Sequence, residues 1–185
     1  AGTIPNCVSY DPTFAHEVAV IMQHGLKRMV EKQENVFYYL TLLNENYAMP
    51  GLQPGTEEQI IKGMYLCKPG AEGLPQRVQL LGSGTILRES LAAQALLAQD
   101  WGIAADVWSC PSFNELARDG QDADRWNLLH PTETPRKSFV QQQLENTSGP
   151  VIASTDYMKN YAEQIRPFIP AGRTYKVLGT DGFGR

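Results

Sequence analysis

At 185 residues, with 42% hydrophobic and 19% charged side chains, the chain has the size and composition of globular protein. A chain of this length hides roughly two-thirds of its unfolded surface and needs no disulfide or metal staple. The formal net charge of -4 and pI near 5.4 provide no basic field for nucleic acid or anionic lipid, so both are excluded as partners.

Three cysteines, Cys7, Cys67 and Cys110, are widely spaced without a C-x-x-C pair. They suggest neither a disulfide framework nor a zinc site, and fit a reducing, cytoplasmic setting. No apolar run approaches the roughly 20 residues that span a bilayer. The start, Ala1-Gly2-Thr3-Ile4-Pro5, has no initiator Met and no cationic leader, and the chain stops in the Gly-rich Asp181-Gly182-Phe183-Gly184-Arg185. Both ends are therefore expected to be cut.

In chain order, Asp11-Pro12 predicts an N-cap with Pro at the first helical position. Phe14, Val18, Ile21, Met22, Leu26, Met29 and Val30 then recur at helical spacing, giving a helix through residue 30. Residues 36–42 form a β-branched and aromatic run, apolar on both faces, as in a buried parallel strand. Residues 44–76 are broken by Pro50, Gly51, Pro54, Gly55, Pro69, Gly70, Gly73 and Pro75. They predict a linker holding one short helix after Thr56.

Beyond the linker, strands are predicted at 78–81, 104–109, 150–154 and 174–178. The main helices are predicted at 85–101, ended by Gly102, at about 136–144 behind Thr134-Pro135, and at 159–169. Ser112 caps a short segment with Phe113 and Leu116, and residues 124–129 add another helical turn or two. This alternation predicts an α/β fold with a mostly parallel sheet and helices on both faces.

Gly82-Ser83-Gly84, between a strand and a helix, offers two readings. It could cradle an anion on converging N–H groups, or serve only as a sharp turn with close helix packing. Leu87 stands where a Rossmann fingerprint needs its third Gly, no Walker lysine follows, and the turn reading is favoured. His16, His24 and His130 lack metal-pair spacing and read as structural or solvated. Ser9, Ser83 and Ser109 lie in no G-x-S-x-G elbow. Cys110 beside Pro111 reads as a buried thiol. The charged stretch Arg118 to Arg125 is predicted on a loop, where a weak, solvated ion-pair patch is the ordinary outcome. On these residues alone, no active site assembles.

Several stretches nevertheless resemble one family. Thr3-Ile4-Pro5-Asn6, Ser9-Tyr10-Asp11-Pro12 and Leu43-Asn44-Glu45-Asn46-Tyr47 resemble the end of the pyrimidine-binding domain of homodimeric bacterial pyruvate dehydrogenases. Leu80-Leu81-Gly82-Ser83-Gly84, Glu115 to Asp122, Arg125-Trp126-Asn127, Leu129-His130-Pro131, Glu133-Thr134-Pro135-Arg136, Ala153 to Met158 and Leu178 to Arg185 resemble its C-terminal domain. The likeness is collinear over essentially the whole chain, apart from short insertions near residues 67–76.

The resemblance implies a transketolase-like fold, with residues 1–55 ending a pyrimidine-binding domain and 56–185 forming the C-terminal domain, its first part (56–77) a linker. It implies a parent enzyme that decarboxylates pyruvate with thiamine diphosphate and Mg, then reductively acetylates the lipoyl group of a dihydrolipoyl acetyltransferase core. That parent would be a homodimer with its cofactor between subunits. The family's Gly-Asp-Gly motif is missing from this chain, and its histidine-rich stretch would precede Ala1, so no catalytic, cofactor-binding or metal residue is expected here. By the same analogy Asn44, Glu45 and Asn46 are expected to line or brace a substrate channel, and Arg118 and Asp119 to form interdomain or intersubunit ion pairs. Two rivals stand beside this reading: a non-catalytic interaction or dimerisation module, and a small flavodoxin-like nucleotide-binding protein resting on Gly82-Ser83-Gly84 alone.

Overall fold

The computed structural model describes residues 2–182; the predicted C-terminal Gly-rich turn falls partly outside them, at 183–185. Two sheets carry the architecture, one parallel and one mixed. The smaller pairs β1 (Cys7–Tyr10) with β2 (Phe37–Leu40), in parallel, through the crossover helix α1 (Ala15–Leu26), whose last turn widens into a π-turn at Lys27–Glu31. The larger has five strands in the order β3-β5-β4-β6-β7: β3 (Tyr65–Lys68), β4 (Gln76–Gly82), β5 (Ile103–Ser109), β6 (Val151–Met158) and β7 (Tyr175–Thr180). All pairs in it are parallel except β3 with β5, an antiparallel edge.

The continuous apolar runs of β4, β5 and β6 follow from burial on both faces. Leu80, Val107 and Ile152 face α3 (Ile86–Trp101), packing with Leu87 and Leu91. Their neighbours Leu81, Trp108 and Ala153 face the opposite layer, with Phe113 and Leu116 of α4 (Phe113–Leu129), Val140 and Leu144 of α5 (Phe139–Leu144), Ala162 of α6 (Asn160–Glu163) and Ile165. Alternate residues of one strand thus build two cores. No helix among the described residues is long and apolar enough to cross a membrane.

Several expectations change. Residues 44–76 contain not only α2 (Glu57–Lys62) but also β3, so part of the expected linker is an edge strand of the main sheet. Its apolar run, Met64-Tyr65-Leu66-Cys67, is too short to stand out among the flanking Pro and Gly. The stretch Arg118 to Arg125 is not a loop but the middle of α4, one helix of 17 residues capped by the Ser112 hydroxyl, which accepts from the Glu115 N–H at 3.0 Å.

The helix predicted from Thr134-Pro135 starts at Phe139 behind a Ser138 cap. The helix predicted at 159–169 is broken into α6 and a single 3₁₀ turn at Arg166–Phe168, because Pro167 offers no N–H to continue it. On β2, Phe37 and Tyr39 are exposed rather than buried, since no described element covers that face.

Gly120 lies inside α4, where Ala would ordinarily gain about 1 kcal/mol in helix propensity. A Cβ there would stand 2.5 Å from the ring of the buried Phe168. Overpacking of that kind costs about 1–3 kcal/mol and outweighs the gain. Gly120→Ala is therefore expected to lower the urea midpoint with an unchanged slope; a raised midpoint would contradict the packing account.

Candidate functional site at the junction of the sheets

Parallel strands in α/β proteins present their C-terminal ends to a crevice, and here both sheets present theirs to the same one. Asp11, the residue after β1, occupies it. Its N–H donates to the Pro111 carbonyl just beyond β5 at 2.6 Å, and its carbonyl accepts from the Gly84 N–H just beyond β4 at 3.0 Å. Its carboxylate Oδ1 accepts from the Thr41 hydroxyl beyond β2 at 2.7 Å and from the Tyr157 hydroxyl of β6 at 3.4 Å. The side chain is 5% exposed, and burial raises its pKa; the Thr41, Ser83 and Tyr157 hydroxyls oppose that rise. The Ser83 hydroxyl stands outside hydrogen-bond geometry yet near enough to act on the same carboxylate.

This arrangement corrects the expectation that Asp11 caps α1. The helix begins after Phe14, and Glu17 takes the capping role: its Oε2 accepts from the N–H groups of Thr13 at 2.5 Å and Phe14 at 3.1 Å. It also decides between the two readings of Gly82-Ser83-Gly84. Gly84 has φ +56°, and a Cβ on it would stand 2.8 Å from an Asp11 carboxylate oxygen. A resident carboxylate fills the turn that might have cradled a phosphate, which removes the basis of the flavodoxin-like reading.

A cleft of about 260 Å³ opens beside Asp11, lined also by Ser9, Tyr39, Thr41, Asn114 and Tyr157. Its wall is tied together. The Ser112 hydroxyl donates to the Ser9 carbonyl, the Asn114 amide to the Ser9 hydroxyl (each 2.6 Å), and the Gln164 amide to Asn114 Oδ1 at 2.8 Å.

A second junction lies behind it. Glu17 is fully buried, and its Oε1 accepts from the Tyr65 hydroxyl of β3 at 2.8 Å and the Ser109 hydroxyl of β5 at 2.6 Å. One carboxylate thus takes four donors from α1's start and from the main sheet. Burial and the Glu17 charge push the Tyr65 hydroxyl pKa up, and the same two causes push Cys67 up to about 11 and raise Cys110, so neither of these two thiols is activated. His16 bridges the Pro50 carbonyl and the Tyr65 hydroxyl, His24 meets the Tyr38 hydroxyl, and His130 ends α4 against the Trp126 carbonyl. Each of the three is engaged in a hydrogen bond within the fold.

The residues singled out in advance are dispersed. Asn44, Glu45 and Asn46 are exposed and do not line the cleft; Glu45 pairs with Arg88 at 2.7 Å, and Arg88 lies over the Tyr47 ring. Arg118 pairs with Glu115 within α4 and donates to the carbonyls of Ile4 and Cys7, fastening α4 to the N-terminal segment. Asp119 has no ion-pair partner among the described residues; it accepts from the Phe139 N–H and caps α5. Sequence reasoning missed Thr41, Asn114, Tyr157 and Glu17, and took Asp11 for a cap. A Ser-Tyr-Asp-Pro ending a short apolar run was the one available signal.

The fold and this double-sheet junction define a transketolase-like protein. Residues 63–185 match the family described as the transketolase-like TK C-terminal domain, and the chain belongs to that family. Residues 1–50 match the pyruvate dehydrogenase E1 component middle domain. The chain is 62% identical over 183 residues to the pyruvate dehydrogenase E1 component of Cupriavidus necator, covering 98% of this chain and 20% of that protein. It is 59% identical over 185 residues to that of Pseudomonas aeruginosa, covering 100% and 21%. The chain thus spans about a fifth of the length of the curated relatives it matches. Among solved structures, transketolase from Leishmania mexicana superposes over 98% of this chain and 22% of its own, with a TM-score of 0.58 at 16% identity, a likeness of fold.

Replacing Glu17 by Gln removes a charge-assisted acceptor and turns an amide N–H₂ toward groups that themselves donate. Breaking such a buried set costs about 3 kcal/mol. Urea unfolding of Glu17→Gln is expected to show that loss; a change under about 0.5 kcal/mol would contradict it. For Asp11 the native state, with its raised pKa, holds the proton more tightly than the unfolded chain. Its contribution therefore falls as pH rises from about 4 through the folded pKa. Asp11→Asn should gain stability relative to the native protein over that same rise, read as the difference in Tm at pH 4 and pH 7. A pH-independent difference would show that the carboxyl does not titrate as described.

Proposed function

We infer that this chain belongs to a pyruvate dehydrogenase E1 component that decarboxylates pyruvate with thiamine diphosphate and Mg and passes the acetyl group to the lipoyl group of a dihydrolipoyl acetyltransferase. Residues 1–55 are the end of the pyrimidine-binding, or middle, domain, and 56–185 the C-terminal domain of a homodimer working in the cytoplasm. The observation that carries the reading is collinear identity of 62% to a named E1 component over nearly the whole chain.

Thiamine diphosphate, when bound, supplies the electron sink that decarboxylation of a 2-keto acid needs. The residues here do not fit it by themselves. Among the described residues no three His, Cys, Asp or Glu side chains gather as metal ligands, and the glycine turn holds Asp11. The reading therefore gives the holding of cofactor and metal to other parts of the protein. What these residues do is join the two sheets. Asp11 and Glu17 fix the strand ends of the middle domain against those of the C-terminal domain, and Arg118 fixes its N-terminal segment to α4.

The exposed Asn44, Glu45 and Asn46 remain the candidates to brace a substrate channel, and Arg118 and Asp119 to hold domains or subunits together. In the full-length protein, thiamine-diphosphate-dependent release of CO₂ from pyruvate is the expected activity, and the 185 residues expressed alone should give none. Asn44→Ala in the full-length protein is expected to change KM for pyruvate or kcat. Unaltered kinetics would remove the channel role, and absence of pyruvate decarboxylation by the full-length protein would remove the reading itself.

A further inference from the structure

Between β2 and α2 the chain runs through residues 41–56 without helix or strand, a length that is uncommon in compact domains and usually functional. This loop, which carries Asn44, Glu45 and Asn46, is nevertheless tied down. The Tyr47 hydroxyl donates to the Thr13 carbonyl, the Gln53 amide donates to the Cys67 carbonyl at 3.1 Å, and Glu45 pairs with Arg88. A fourth anchor is of another kind. His16 on α1 places Nδ1 3.0 Å from the Pro50 carbonyl oxygen and Nε2 3.1 Å from the Tyr65 hydroxyl oxygen.

Protons can be counted along these contacts. The Tyr65 and Ser109 hydroxyls each direct their one proton to Glu17 Oε1, at 2.8 and 2.6 Å. Toward His16 the Tyr65 oxygen is then an acceptor, and so is the Pro50 carbonyl. A neutral imidazole has a single N–H and serves only one of them; its other nitrogen sets a lone pair against an oxygen. Imidazolium serves both. The extra proton belongs on His16 rather than Glu17, since imidazole is the stronger base and four donors already point at the carboxylate. The Phe14 ring, stacked on His16 with centroids 5.5 Å apart, adds a face suited to a cation. The other titratable groups around Glu17 are Tyr65 and Cys67 of β3, Cys110 after β5 and Tyr47 of the loop. Burial keeps all four protonated through neutral pH, and the charged pair Arg88–Glu45 lies beyond the Tyr47 ring.

We propose that His16 is a proton-operated latch: doubly protonated, it holds the Pro50 segment of the loop against Tyr65, and it releases that segment when one proton leaves. The loop is therefore fastened at low pH and loosened as pH rises. The latch does not depend on any role of Asn44, Glu45 or Asn46 in a substrate channel, and it stands or falls separately from that role.

In the full-length protein, the rate of thermolysin cleavage between Leu42 and Leu52 is divided by that of a free peptide of residues 41–56 at the same pH. The division removes the pH dependence of the protease itself. Loss of a charge-assisted hydrogen bond is expected to raise this ratio about tenfold between about pH 5.5 and about pH 8. His16→Gln, whose amide offers a donor and an acceptor at every pH, holds the ratio within about twofold over the same range. Tyr47→Phe removes an anchor that does not titrate there, so it raises the ratio at both pH values and keeps the roughly tenfold step between them. A native ratio that does not change with pH, cleavage absent at both values included, overturns the proposal. So does a His16→Gln protein that retains the native step.

Discussion

The structure depends on how one residue satisfies its polar groups at a place where the ends of five strands meet. Polar backbone groups buried between two sheets must find partners or cost the full desolvation penalty. Asp11 uses its N–H on the exit of β5 and its carbonyl on the exit of β4, and spends its side chain on the exits of β2 and β6. A two-stranded ribbon such as β1–β2 is marginal when isolated. Here it is pinned, through Asp11 and Thr13, whose hydroxyl donates to the Gly84 carbonyl at 2.6 Å, to the rim of the five-stranded sheet, and it shares a buried core of Val8, Tyr10, Ile21, Ile60 and Tyr65 with α1, α2 and β3. Gly84 follows from that constraint: a left-handed turn that must leave room for a carboxylate admits no Cβ.

Charge placement follows the same order of magnitudes. The pairs Arg88–Glu45 and Lys137–Glu145 are substantially exposed and contribute about 0–1 kcal/mol each, and the Lys62–Glu58 pair lies in open solvent. Glu17, with four donors and no exposure, and Arg118, whose guanidinium is shared between a carboxylate and two carbonyls, stand in a different class. Removing one side of such a set leaves a buried group unpaired, and that penalty exceeds the strength of the bond lost. The polar residues that matter most are therefore the buried ones between layers.

Legibility in the sequence divides along physical lines. Helix α3 and strands β4, β5 and β6 could be read because period and length agree with local turn residues, down to Gly102 at φ +62° ending α3. The strands β1 and β3, of four residues each, could not, since their identity is conferred by partners far along the chain: Phe37 to Leu40 for one, Val107 to Ser109 for the other. Helix α4 was hidden by its charges, although Phe113, Leu116, Ala117, Gly120 and Ala123 mark a buried face at helical spacing. The site was less legible still. Asp11, Thr41, Asn114 and Tyr157 are 30 to 146 positions apart in the pairs that meet, and nothing in the local sequence announces their convergence. The family resemblance supplied what periodicity could not, the expectation that the end of one domain precedes a transketolase-like C-terminal domain.

Why the convergence should fall where it does follows from strand direction. In a parallel pair every strand leaves the sheet at the same rim, so each crossover places a loop and a helix start there. When two parallel sheets meet rim to rim, as β1–β2 and β4–β5–β6 do, the loops of each become the floor of the other, and side chains on them are buried without being packed into either core. Polar residues at such a seam serve both sheets at once: the Ser112 hydroxyl caps α4 and also donates to the β1 carbonyl of Ser9. A seam of this kind can be rigid in its backbone while leaving a cavity between side chains. That is the arrangement found beside Asp11, where the Thr41 and Tyr157 hydroxyls meet its carboxylate at the edge of the cleft.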